Sequence, residues 1–104
     1  MVSSFSKRAI EIIKRVPFGK VATYGQIATY SGNSRGARQV VRLLNSSSEK
    51  EDLPWFRIVN SKGNISLKHG NGYELQKSLL EKEGIEFGKN DKIDFDIYLW
   101  KPLG

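Results

Sequence analysis

Between Pro17 and Asn45 the chain is punctuated so closely that few folds can accommodate it. Upstream, Phe5, Ala9, Ile12, Ile13 and Val16 recur at helical spacing, with Ser3 or Ser4 available as N-cap, which predicts a helix over 5–16. Pro17 biases Val16 away from helical geometry and ends that helix. Phe18-Gly19-Lys20 then turns the chain into a short extended piece, Val21-Ala22. Thr23-Tyr24-Gly25-Gln26 fits a capping box, in which the Thr hydroxyl takes an amide of the first turn and Gln26 reaches back. A short helix should follow from Tyr24 to about Tyr30, with Ile27 and Ala28 inward. Ser31-Gly32-Asn33-Ser34 interrupts it, and Ser34 is placed to cap a further helix from Arg35 to about Asn45. Two short helices joined by a Gly-containing turn are the outline of a helix-turn-helix.

The remainder suggests what flanks that motif. Ser46 to Leu53 is polar and loop-like. Pro54-Trp55-Phe56-Arg57 reads as a rigid turn running into a buried strand at Ile58-Val59. Asn60 to Asn64 has turn chemistry between that strand and a second extended piece ending near Ile65–Leu67, so a hairpin, or wing, is expected. After a loop over Lys68–Gly72, Tyr73–Glu83 should be a helix with Leu75, Leu79 and Leu80 inward and Gly84 at C′. The tail from Ile85 mixes acids with large apolar residues, as packed chain does, and alternation at Phe95-Asp96-Ile97 permits a strand. The expected architecture is one domain over 1–104, mainly α with a small β wing, a winged helix-turn-helix.

Composition narrows the chemistry. A chain of 104 residues with 38% apolar content supports one modest core. No apolar run approaches the roughly 20 residues of a membrane span, and the N-terminus lacks a signal peptide's pattern, so a cytoplasmic, intracellular protein is expected. There is no Cys, which rules out disulfides and thiolate chemistry, and with a single His, His69, no zinc site is plausible, so neither metal nor cofactor is expected. Charge is polarised. Residues 1–45 hold eight Lys or Arg against one acid, whereas residues 46–104 hold nine against ten. A basic half suggests a polyanion bound by one face. On the predicted helix 35–45, Arg35, Arg38, Gln39 and Arg42 fall within about 100° of arc, opposite Ala37, Val40, Val41 and Leu44. A solvated face is the plain alternative, but this one carries no acid to pair with its arginines. As the second helix of a helix-turn-helix, it suits a DNA groove.

The order "VPFGKVATYGQIA…GNSRGARQVVRLLN…LPWFRIVNSKGNIS…LLEKEG" resembles the DNA-binding domain of the O6-alkylguanine-DNA alkyltransferases. It is more similar still to their non-enzymatic relatives, the alkyltransferase-like proteins. The resemblance runs from about Phe5 to Phe87, and the closing "YLWKP" is similar to the end of some alkyltransferase-like chains. In the enzymes the turn reads Pro-Cys-His-Arg-Val, and the Cys accepts the alkyl group. The resemblance places Pro54 at that Pro, Trp55 at the nucleophile, Phe56 at the His, and Arg57 and Ile58 at the following pair. An indole cannot accept an alkyl group as a thiolate does, and Phe56 cannot act as a base. Alkyltransferase-like proteins generally keep the His, so Phe56 is a departure. It leaves open what Glu83, which matches the enzymes' network Glu, now pairs with; Arg57 is the nearest candidate in sequence.

By the same resemblance Tyr24 helps turn the target phosphate outward, Arg38 fills the stack behind a flipped base, and Asn45 stands at the bend after the recognition helix. Plainer roles exist for each: a boundary aromatic, a phosphate contact, a helix-end residue. The lesion pocket implied is Tyr24, Pro54, Trp55, Phe56, Arg57 and Ile58; the DNA face is Tyr24, Arg35, Arg38, Gln39 and Arg42. The implied function is a monomer that flips O6-alkylguanine from double-stranded DNA, holds it without transfer, and flags it to nucleotide excision repair proteins. A sequence-specific regulator could use the same fold. A glycosylase using Glu51 or Asp52 is a third class, but those acids sit in a charged, Ser-rich stretch.

Overall fold

The first segment's apolar spacing becomes helix α1, Ser4–Arg15, with Ala9 and Ile13 fully buried. A computed structural model describes residues 4–102 of the chain. Ser4 lies inside the helix and so is not its cap, and Ser3 falls outside the described residues. The chain then forms β1 (Ala22–Thr23), α2 (Tyr24–Tyr30), α3 (Ala37–Glu51), a 3-10 turn (Trp55–Arg57) and β2 (Ile58–Val59). It ends with α4 (Tyr73–Lys82), a second 3-10 turn (Lys89–Asp91) and the single-turn α5 (Phe95–Tyr98). None of these helices is long and apolar enough to cross a membrane.

The capping box at α2 forms as the sequence predicts. Thr23 Oγ1 accepts from Gln26 N at 2.9 Å, and Thr23 N donates to Gln26 Oε1 at 3.2 Å. The start of α3 differs from expectation. Ser34 does not cap it; Asn33 Oδ1 accepts from Arg35 N at 3.0 Å instead, and Gly36 is the boundary residue. A Cβ there would lie 2.9 Å from the ring of Phe5 and 3.1 Å from Asn33 O, so a larger residue would have to displace its neighbours. The far end of α3 also differs. The segment expected as a loop, 46–51, continues the helix, and Asp52 closes it in the left-handed conformation at φ 53°. Serine is only mildly unfavourable in helices, and Leu53, 5% exposed, pulls this stretch onto the core.

The two strands pair in parallel, Ala22 with Ile58 and Thr23 with Val59. Strand alternation sends Ala22 and Ile58 into one apolar cluster with α1, α2 and α3, while Val21 and Val59 join Leu80, Ile85 and Ile93 in a second. The small sheet is therefore a partition between two cores. The expected hairpin does not form: Asn60 Oδ1 accepts from Lys62 N and Asn64 N, both at 3.0 Å, but residues 65–67 pair with no strand. Their place beside the turn is taken by the tail, where Ile93 N donates to Gly63 O at 2.8 Å. A Cβ at Gly63, whose φ is +81°, would sit 2.8 Å from the backbone oxygen of Ile93. The strand expected at Phe95-Asp96-Ile97 is instead the turn of α5, capped by Asp94, with Ile97 exposed. Beyond it the tail straps onto Val21, just before β1, with Trp100 N to Val21 O at 2.7 Å and Val21 N to Tyr98 O at 2.9 Å.

Helix α4 also turns differently from expectation. Leu75 is 56% exposed, and the inner face carries Gln76 and Leu80. Gln76 Nε2 donates to Phe56 O at 3.0 Å and Ile58 O at 3.1 Å, which repays its burial with two bonds. Past Gly84, left-handed at φ +88° as a C′ residue should be, Ile85 N donates back to Leu80 O at 3.2 Å.

Glu83 finds the partner nearest in sequence. Arg57 donates to its carboxylate through Nε at 3.0 and 3.1 Å and through Nη2 at 2.6 Å. Arg57 Nη1 also donates to Val16 O at 3.0 Å, and Gly19 N donates to Glu83 Oε1 at 3.0 Å. The two side chains are 17% and 7% exposed, so losing one partner strands a largely buried charge. Glu83→Ala should therefore lower unfolding free energy by roughly 3–5 kcal/mol. Urea unfolding measures this, and a loss below about 1 kcal/mol would mean the pair is merely a surface bridge.

A second polar cluster ties α4 to the tail. The Tyr73 hydroxyl donates to Asp91, and Lys77 Nζ lies 3.0 Å from Asp91 Oδ1. The bond to Asp91, followed by burial, pushes the Tyr73 hydroxyl up to about 12 from 10.0. The hydrogen bond from Tyr73, then that from Lys77, holds the Asp91 carboxyl below its ordinary value. A raised folded-state value stabilises below the unfolded value and loses that contribution as pH climbs through the folded one. The stability advantage of the wild type over Tyr73→Phe should thus shrink between about pH 10 and about pH 12. Urea titrations across that window test it, and an advantage that grew would contradict the cluster.

Candidate nucleic-acid interface

The turn after α3 is built by short-range bonds that leave its side chains little freedom. Leu53 N donates to Ser48 O at 2.9 Å, Trp55 N to Leu53 O at 2.8 Å, and Arg57 N to Pro54 O at 3.0 Å. From behind, Gln76 holds the Phe56 and Ile58 carbonyls, and Glu83 holds the Arg57 guanidinium. Phe56 packs on the second core and lies 5.3 Å from that guanidinium, in cation–π range. Trp55 meets Phe56 edge to face at 6.0 Å.

In front of Trp55 lies a pocket of about 430 Å³, within the size range of small-molecule sites. Its walls are Val41, Leu44, Trp55 and Leu67, with polar groups from Tyr24, Asn45, Ser48, Ser66 and Gln76. The Tyr24 hydroxyl is 3.2 Å from Ser66 Oγ, which joins the start of α2 to the segment beyond the turn. Of the residues expected around such a pocket, Tyr24 and Trp55 line this one, as does the expected bend residue Asn45. Ile58 is wholly buried in the first core, Phe56 and Arg57 support the turn from behind, and Pro54 is not on the wall.

The basic residues sit beside this pocket on the same helix. Arg38, Gln39 and Arg42 are exposed on α3, while Arg35 precedes the helix in the turn that Asn33 holds. Arg38 is three and seven residues before Val41 and Asn45, which places it on the pocket side of α3. Gln39 and Arg42 lie toward α1, around a shallow hollow that includes Phe5 and Ser46. Among the described residues none of these three arginines pairs with a carboxylate. Their charge is directed outward, beside an apolar recess.

Several lining residues escape a reading of the sequence. Val41 reads as core, yet it is 37% exposed and faces the pocket. Ser48 lies in the stretch that reads as loop, and Ser66 and Leu67 in the expected hairpin. Gln76 had a signal in principle, since it lies four residues before the buried Leu80 and seven before Glu83, at the spacing of one helix face.

Comparison with known proteins accords with this geometry. The family described as 6-O-methylguanine DNA methyltransferase, DNA binding domain, matches residues 4–85. A Vibrio parahaemolyticus relative named DNA base-flipping protein is 43% identical over 101 residues, covering 97% of this chain and 100% of that protein. Alkyltransferase-like protein 1 of Schizosaccharomyces pombe is 35% identical over 106 residues, covering 97% of this chain and 98% of that protein. The crystal structure of S. pombe Atl1 in complex with damaged DNA containing O6-carboxymethylguanine matches with a TM-score of 0.84 at 36% identity, over 94% of this chain and 95% of that one. The chain belongs to the family of the 6-O-methylguanine DNA methyltransferase DNA-binding domain, and within it is similar to the alkyltransferase-like and base-flipping proteins.

Proposed function

We propose that this protein binds double-stranded DNA through the Arg38–Arg42 side of α3, extrudes O6-alkylguanine into the pocket at Trp55, and holds it without chemistry. The observation that carries the reading is the juxtaposition of an apolar, base-sized recess with unpaired arginines on one helix. Relatives named for base flipping, and one solved with O6-carboxymethylguanine DNA, support it. Trp55 stands where the alkyltransferases carry their Cys, and the chain contains none. The bound complex then marks the lesion for nucleotide excision repair.

Magnitudes explain how binding alone can select damage. Extruding a base costs a few kcal/mol, and less when it pairs badly. Stacking on an aromatic ring returns roughly 1–3 kcal/mol. An O6-alkyl group weakens pairing with cytosine and adds apolar surface, so both effects favour the lesion over intact guanine. Arg38, on the pocket side of α3, is the side chain that fills the vacated stack; its planar guanidinium can stack and hydrogen-bond there.

The direct test is the affinity for two duplexes that differ by one O6-methylguanine. Tighter binding of the lesion duplex is expected, and equal affinity would overturn the reading. Trp55→Ala should weaken lesion binding by about 1–3 kcal/mol and change intact-duplex binding little; a variant that kept full lesion preference would make the indole ordinary packing.

The arginines should separate by position. Arg38→Ala should reduce lesion discrimination together with affinity, whereas Arg42→Ala should weaken damaged and intact duplexes alike and lessen the salt dependence. Titrations of both variants at two salt concentrations check this. Equal loss of discrimination in the two would remove the case for a stack-filling Arg38.

A further inference from the structure

One side chain on the pocket wall is unsatisfied. Ser48 Oγ is buried, and among the described residues it is the buried side-chain oxygen or nitrogen that has no hydrogen-bond partner. Helical serines normally resolve this by bonding to the carbonyl three or four residues back. Two others here do so: Ser31 Oγ donates to Ile27 O at 2.7 Å, and Ser46 Oγ to Leu43 O at 3.3 Å. Ser48 does not, although its backbone is as regular and its own carbonyl is used by Leu53 N at 2.9 Å. A buried hydroxyl without a partner is unfavourable, so its place in a folded protein calls for an explanation.

The surroundings indicate which partner. Ser48 lines the pocket whose apolar walls are Val41, Leu44, Trp55 and Leu67. These can contact the faces of a base and its alkyl group, but they offer nothing to its ring nitrogens and oxygen. Rotation about χ1 moves a serine oxygen among three staggered positions, so the hydroxyl can exchange a buried position for one facing the pocket. It can donate or accept as the base edge requires.

We infer that Ser48 is a specificity-determining residue of the pocket, its hydroxyl, which has no protein partner among the described residues, hydrogen-bonding to the polar edge of the extruded base in the complex. The inference rests on the proposed function, and it explains why, among the described residues, this buried polar side-chain atom has no partner. The hydroxyl contributes only when a base with hydrogen-bonding atoms occupies the recess, so it distinguishes a purine from an apolar ring of similar area.

Three duplexes test it, carrying at one position O6-methylguanine, guanine, or a nonpolar aromatic base analogue without hydrogen-bonding atoms, each titrated with wild type and Ser48→Ala. Ser48→Ala should bind the O6-methylguanine duplex about two- to tenfold more weakly, the range of one net hydrogen bond. It should bind the nonpolar analogue as tightly as wild type or more tightly, and its urea midpoint should equal or exceed that of wild type. Unchanged O6-methylguanine binding, an equal loss for the nonpolar analogue, or a lower urea midpoint would each overturn the inference. The proposed function is judged separately, by whether wild type prefers O6-methylguanine to guanine; absence of that preference would overturn both.

Discussion

The bidentate pair between Arg57 and Glu83 joins four segments that are far apart in sequence. Arg57 belongs to the turn that carries Trp55, Glu83 directly follows α4, Val16 directly follows α1, and Gly19 lies on the passage to β1. Removing that pair would release the turn from behind, where Gln76 alone would still hold its carbonyls. It also shows how a turn with Phe56 at its centre is kept rigid. The guanidinium lies within cation–π distance of both Phe56 and Phe18, so the aromatic ring that cannot hydrogen-bond still contributes to seating the arginine.

Rigidity matters because the pocket is assembled from separate elements. α3 supplies Val41, Leu44, Asn45 and Ser48, the turn supplies Trp55, and Tyr24, Ser66 and Gln76 come from three other segments. A recess made this way discriminates only if its walls do not drift apart when it is empty, since ordering them on binding would consume the stacking energy. The parallel pairing of β1 and β2 and the tail strapped on Val21 serve the same end. α3 itself combines two physical tasks. In the proposed function its arginines attract phosphates irrespective of sequence and supply affinity, while its Val41–Ser48 side shapes the recess and supplies selectivity.

What the sequence disclosed follows the range of the interactions involved. The capping box at Thr23, the stop before Pro17 and the Gly84 terminus depend on neighbours within a few residues, and all three form where those residues stand. Ile27 and Ala28 are inward as their spacing implies. The extent of α3 through three serines, the absence of a hairpin after Asn64 and the helical turn at Phe95 were set by distant contacts: Leu53 on the core, Ile93 on Gly63, and the tail on Val21. At the site, Trp55, Tyr24 and Asn45 were legible through the family pattern. Gln76 and Ser48 were not, because polar residues on helices read as solvent-facing, and nothing local shows that α4 turns Gln76 toward a carbonyl pair or that α3 extends to Ser48.

The proposed function makes Trp55 a binding surface where the alkyltransferases place a nucleophile. It is tested most directly by incubating the protein with duplex DNA whose O6-methylguanine carries a radiolabelled methyl group, then denaturing the complex and locating the label. Formation of the complex followed by recovery of all label on unchanged DNA is the expected result. Label transferred to the protein in stoichiometric amount would overturn the proposed function.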